Sequence, residues 1–170
     1  MKFLERIDTV SKSAAVVGTY FTLALVVVVC FDVLMRYLLG SPTTWAFDAA
    51  LHLYSISFLL GGAWVLNMKA HVKVDVIYNK FGPRTRAIIN LLFYLFFLFP
   101  LCYYFLKDGT QYVYTSWKLG EVSRSSPLHE PIWPLKVFIP ISFLLLALQG
   151  IVEFIRDWAT VTKGTSSQGS

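Results

Sequence analysis

With 170 residues, 56% of them apolar and only 15% charged, the chain has too few polar side chains to cover its long apolar runs in water, which excludes an ordinary soluble domain around one core. The formal net charge of +5 invites a nucleic-acid reading. The basic residues, however, flank the apolar runs and form no stripe interleaved with base-stacking aromatics, so nucleic acid is not an expected partner.

Four runs, Ala14–Leu39, Trp45–Met68, Ala87–Leu106 and Leu135–Ile155, each hold about 20 residues or more. At about 1.5 Å of rise per residue, each crosses a hydrocarbon layer about 30 Å thick. The expected fold is an all-α membrane protein with four transmembrane helices and short interfacial amphipathic helices. Residues 14–158 form the four-helix domain, between a lead-in at 1–13 and a disordered tail at 159–170. What lies outside the spans is too short for a second core, and an enzyme is not expected.

In the lead-in, Phe3, Leu4, Ile7 and Val10 recur at helical spacing, so it is read either as an amphipathic helix on the membrane surface or as an extension of the first span. The first span exceeds the 7 to 15 residues of a signal-peptide core and is expected to stay as an anchor. Cys30 and Cys102 fall inside spans, without the paired spacing of a disulfide framework or zinc site.

Gly40-Ser41-Pro42-Thr43-Thr44 turns the first span into the second as a helical hairpin. Asp32 and Arg36 lie four apart before the turn, Asp48 and His52 four apart after it, each pair on one helix face. Ionisable groups near membrane depth are costly and need partners. Arg36 has Asp32 and Asp48 as candidate carboxylates, and three readings stand: a clamp across the hairpin, a docking site for another protein, or a proton relay through Asp48 and His52. Further along, Ser57, Gly61, Gly62 and Ala63 make a small-residue face suited to close helix packing.

The connection after Met68 alternates apolar and polar residues up to Tyr78 and turns at Gly82-Pro83. A lone strand there has no partner for its backbone, so an interfacial helix is expected. His71 and Asp75 are four apart, but two ligands without a third do not make a metal site.

Pro100 should kink the third span, whose helix continues in polar sequence to about Trp117. Tyr103, Tyr104, Tyr112, Tyr114 and Trp117 around its exit form an aromatic belt. Gly120–Pro134 is irregular, with Pro134 starting the fourth helix and Trp133 at its boundary. That helix passes Pro140, Gln149 and Gly150 to reach Glu153, Arg156 and Trp158.

Placing the amino terminus inside puts ten of the fifteen basic residues on the inner side, five of them between Lys69 and Arg86. This bias predicts cytoplasmic N- and C-termini.

Arg36-Tyr37, then Pro42-x-x-Trp45-x-x-Asp48, Gly61/Gly62, His71-Val72-x-Val74-Asp75, Pro131-Ile132-Trp133-Pro134, Pro140 and Leu148-Gln149 follow in order. Over about residues 30–150 this pattern resembles the small membrane subunit, the DctQ-like or Q component, of tripartite ATP-independent periplasmic transporters. It departs at Asp48, where the family usually has Glu, and at Ser142, where glycine is expected.

The resemblance implies a scaffold subunit in the bacterial inner membrane. It would bind a large, multi-spanning elevator-type subunit in a cation-driven system, usually a sodium symport, for organic anion uptake. It further implies a periplasmic substrate-binding protein as a second partner at the outer loops, membrane lipid around the spans, and no cofactor. The alternative is a haem- or quinone-binding membrane anchor of a respiratory complex, for which only His52 lies at membrane depth.

Overall fold

Runs of Leu, Val and Phe uninterrupted by charge make helices wherever lipid leaves no other way to satisfy the backbone. The structure is a computed structural model describing residues 2–41, 43–68, 82–123 and 131–163. Helix α1 spans Lys2–Leu38, α2 Ala46–Asn67, α3 Pro83–Phe93, α4 Phe99–Leu119 and α5 Trp133–Lys163. A π-helical turn, Tyr94–Leu98, fuses α3 to α4. Four of the resulting rods, among the described residues, are long and apolar enough to cross a membrane.

The lead-in is not a separate helix. Residues 2–13 continue into the first span without a break, because neither Gly nor Pro interrupts them and Asp8 and Ser11 are bonded to α5. At the other end of the chain, α5 runs to Lys163, so 159–163 belong to the helix and not to a disordered tail. The interfacial helix expected around His71 and Asp75 lies outside the described residues.

The helices are not arranged as a closed bundle. Along the layer the order is α1, α2, α5, then the α3–α4 rod, with α5 touching all the others. Burial follows that order: 28% of the apolar window of α5 is buried, against 6% for α1. At the α1–α2 seam, a Cβ on Gly18 would stand 3.1 Å from the Ser57 carbonyl oxygen, so glycine there sets the distance between the two helices.

Beside Pro100, where a kink is expected, the structure has a change of helix type. Proline has no N–H to give and its ring crowds the preceding turn, and the chain responds by widening to a π turn, in which the Phe99 amide reaches back to the Tyr94 carbonyl. The wide turn sends Tyr94 and Leu98 inward, where with Leu66 and Cys102 they form the buried core. Gly150 of α5 leaves room for Leu98. Further along, Phe105 stacks on Phe143 at 4.1 Å between centroids, and Gly109 receives Ile139 and Pro140.

Helix α4 ends at Gly120, whose φ of 59° is the left-handed conformation glycine adopts without strain. The amides of Gly120 and Glu121 return to the carbonyls of Trp117 and Ser116, which satisfies the last turn. Glu121–Ser123 then meets Pro131–Ile132 through a short antiparallel bridge, joining the end of α4 to the start of α5.

Candidate functional site

Polar side chains collect at the two ends of the layer, here named the termini end and the hairpin end. At the termini end, Asp8 of α1 is the hub. One carboxylate oxygen accepts from Asn67 Nδ2 of α2 at 2.5 Å and Gln149 Nε2 of α5 at 3.0 Å. The other accepts from Arg156. Ser11 donates to Gln149 Oε1 at 2.9 Å, and Arg156 donates to Glu153 Oε1 at 2.6 Å. Asn90 of α3 donates to Asp157 of α5 at 2.8 Å, so α1 and α3 are bonded to α5 directly and α2 through Asp8.

Ser11, Gln149 and Glu153 are fully buried. Hydrogen bonds that span three helices in this setting fix their mutual rotation, each contributing about 1 kcal/mol net. Of these residues the sequence reading singled out only Gln149. The signal for the rest was present: Gln149, Glu153, Arg156 and Asp157 recur at the spacing of one helix face, as do Asp8 and Ser11.

At the hairpin end, Arg36 pairs with Asp32 at 2.9 Å within α1, and Thr43 donates from its amide, at 3.2 Å, and its hydroxyl to the same carboxylate. Asp32 therefore clips the turn to α1. Trp45 precedes α2 and stacks on Phe31 at 6.1 Å.

The expected second partner of Arg36 is elsewhere. Asp48 is only 2% exposed, and its Oδ2 has no hydrogen-bond partner among the described residues. The reason is rotational. Ser57, which meets α1, lies nine positions after Asp48, about half a turn round the helix, so Asp48 faces away from Arg36. His52 shares that face, but its Nδ1 donates to the Asp48 backbone carbonyl at 2.7 Å and not to the carboxylate. No Asp48–His52 side-chain relay is formed.

Instead Asp48 and His52 line a cavity of about 500 Å³ against Glu121, Ser123, Ile132 and Leu135. Beside it Lys136, 5% exposed, pairs with Glu121 and stands 3.7 Å above the Tyr112 ring. Trp133 opens α5 partly exposed and Pro134 follows, where its missing N–H costs no helical bond. Ser57 packs on Gly18, whereas Gly61 and Gly62 have nothing within 4 Å of where a Cβ would stand. The small-residue face is thus divided between an inner seam and an open groove. His71 and Asp75 are outside the described residues.

Polar ties thus stand at the two ends of the layer, with apolar surfaces between them. A family model described as the DctQ component of tripartite ATP-independent periplasmic transporters matches residues 25–160. The match gives no support to a respiratory haem or quinone anchor. No curated protein matches the chain. By the family match and the four spanning-type helices, the chain belongs to the DctQ family, as a multi-pass inner-membrane component of a tripartite ATP-independent periplasmic transporter.

Proposed function

We propose that this chain is the static small subunit that binds the large membrane subunit and widens the frame against which its transport domain moves. One observation carries the reading: no Asp, Glu, Lys or Arg occurs in 13–31, 49–68, 87–106 or 137–152. A solute or ion path through a membrane protein needs polar groups at depth. Here the ionisable groups sit at the ends, where they join helix to helix.

On this reading both termini are cytoplasmic, following the basic-residue bias. The hairpin end then faces the periplasm, the side from which the substrate-binding protein approaches. Uptake of an organic anion, coupled to a cation gradient and in this family usually sodium, belongs to the partner subunits.

The test is co-purification. A tag on this chain, expressed with its large subunit, should retain that subunit in mild detergent; recovery of a stable lone monomer would refute the proposal. Arg36→Ala and Asp48→Ala are expected to reduce the retained large subunit while leaving substrate preference unchanged, as measured by competition in transport assays. Altered preference with the complex intact would instead place substrate selection at this rim.

A further inference from the structure

The cavity holding Asp48 is the upper end of a longer feature. It shares Ile132 and Leu135 with a second cavity of about 550 Å³, which shares Phe58, Leu59 and Phe143 with a third of about 570 Å³. Together they form a groove floored by α5 and walled by α2 and α4, from the hairpin end down to Val65 and Leu146. Helices α2 and α4 flank α5 along it, and at its lower end Leu66 of α2 joins Leu98 and Cys102 in the buried core.

Two features narrow what fits. Along the lower half, Gly61, Gly62 and Ser142 line the groove, and a Cβ on either glycine would meet only open space. Such a surface accepts a rod of helical width at close approach. At the upper end, Asp48 Oδ2 is buried with no hydrogen-bond partner among the described residues. The first turn of α2 is a favourable place for negative charge but supplies no hydrogen bond to this oxygen. A buried carboxylate oxygen without a donor is costly, and a cationic side chain is the complement that removes the cost.

We infer that the α2–α4 groove seats one apolar transmembrane helix of the large subunit, with an Arg or Lys near that helix's outer end pairing with Asp48. The inference rests on the assembly proposed above and adds the face and the chemistry of contact. The outer face of α1, with Tyr20, Leu23 and Val27 exposed, is then left to lipid.

The experiment uses the co-expressed complex, with a photo-crosslinking residue at Phe58, Val65 or Val27. Crosslinks from Phe58 and Val65 should map to one helix of the large subunit, and the Val27 probe should label lipid. Gly62→Leu and Asp48→Asn should each lower the retained large subunit by about tenfold or more, tenfold being the least expected for breaking a buried charge pair or filling a contact. Neither variant should lower the lone subunit's thermal unfolding midpoint, which separates lost docking from lost folding. If a large-subunit Arg or Lys on the crosslinked helix is changed to Asp, Asp48→Arg should restore retention.

Crosslinks to the large subunit from Val27, with only lipid labelled from Phe58 and Val65, would overturn the groove while leaving assembly intact. Unchanged retention in Asp48→Asn would remove the charge pairing. If even the wild-type chain retains no large subunit, the assembly reading itself fails, a result distinct from a misplaced face.

Discussion

Arg156→Ala should lower the thermal unfolding midpoint of the isolated subunit in detergent far more than Arg36→Ala, although each arginine belongs to an ion pair. Arg156 joins Asp8 of α1 to Glu153 of its own helix, and the Glu153 side chain is fully buried. Removing the guanidinium takes a charge-assisted bond from a buried carboxylate and another from Asp8. Such losses run to several kcal/mol when the pair is fully buried, and the 38% exposure of the Arg156 side chain reduces the expectation to about 2 kcal/mol. Arg36, 55% exposed and paired along one helix, holds no second helix in place, so its removal should leave the midpoint unmoved. Equal shifts for the two variants would mean that the termini-end network does not hold the helices together. Asn67→Ala should fall between them, since it removes one neutral donor from Asp8.

Gly18→Leu should separate α1 from α2. The added Cβ would stand 3.1 Å from a backbone oxygen, which unlike a side chain cannot turn aside. Overpacking of this kind costs about 1–3 kcal/mol, even though leucine favours the helix more than glycine does. The loss should appear as a lower unfolding midpoint and weaker crosslinking between cysteines placed on either side of the seam. Gly61→Leu is the control, because its added atoms enter open groove and should leave the lone subunit's midpoint unchanged. A loss of stability in Gly61→Leu equal to that in Gly18→Leu would contradict the division of the small-residue face.

Much of the architecture was legible because lipid leaves few choices. Four uncharged runs of sufficient length became four spanning-type rods, the third helix projected past its apolar run, and Pro100 changed the helix near where it was expected to. Boundaries at the ends were harder. Composition makes 159–163 look like tail and 2–13 look separable, yet the polar residues there are helical, with Ser11 buried and Asp8 half-buried against α5. Hydropathy treats such residues as solvent-facing, because their partners are distant in sequence: Asp8 meets Arg156 across 148 positions.

The rim charges show the same limit from the other side. Spacing alone brought Asp32 and Arg36 together correctly, since residues four apart on a helix are neighbours whatever the fold. It could not say which way Asp48 faces relative to α1, because that depends on how α2 is rotated about its own axis. Glycine at 18 sets that rotation by admitting the Ser57 carbonyl, and it turns Asp48 toward the connection between α4 and α5.

The sequence by itself determined that the chain has four membrane-length helices, where they turn, and which family pattern they carry, since these follow from local composition and the backbone's need for hydrogen bonds in lipid. Only the tertiary structure decided that α5 is central, that Asp8 and Arg156 join three helices at one end, and that Gly61 and Gly62 face an open groove below Asp48. Those features depend on the side-by-side order and rotation of the rods, which lipid leaves undetermined and which packing and buried hydrogen bonds must set.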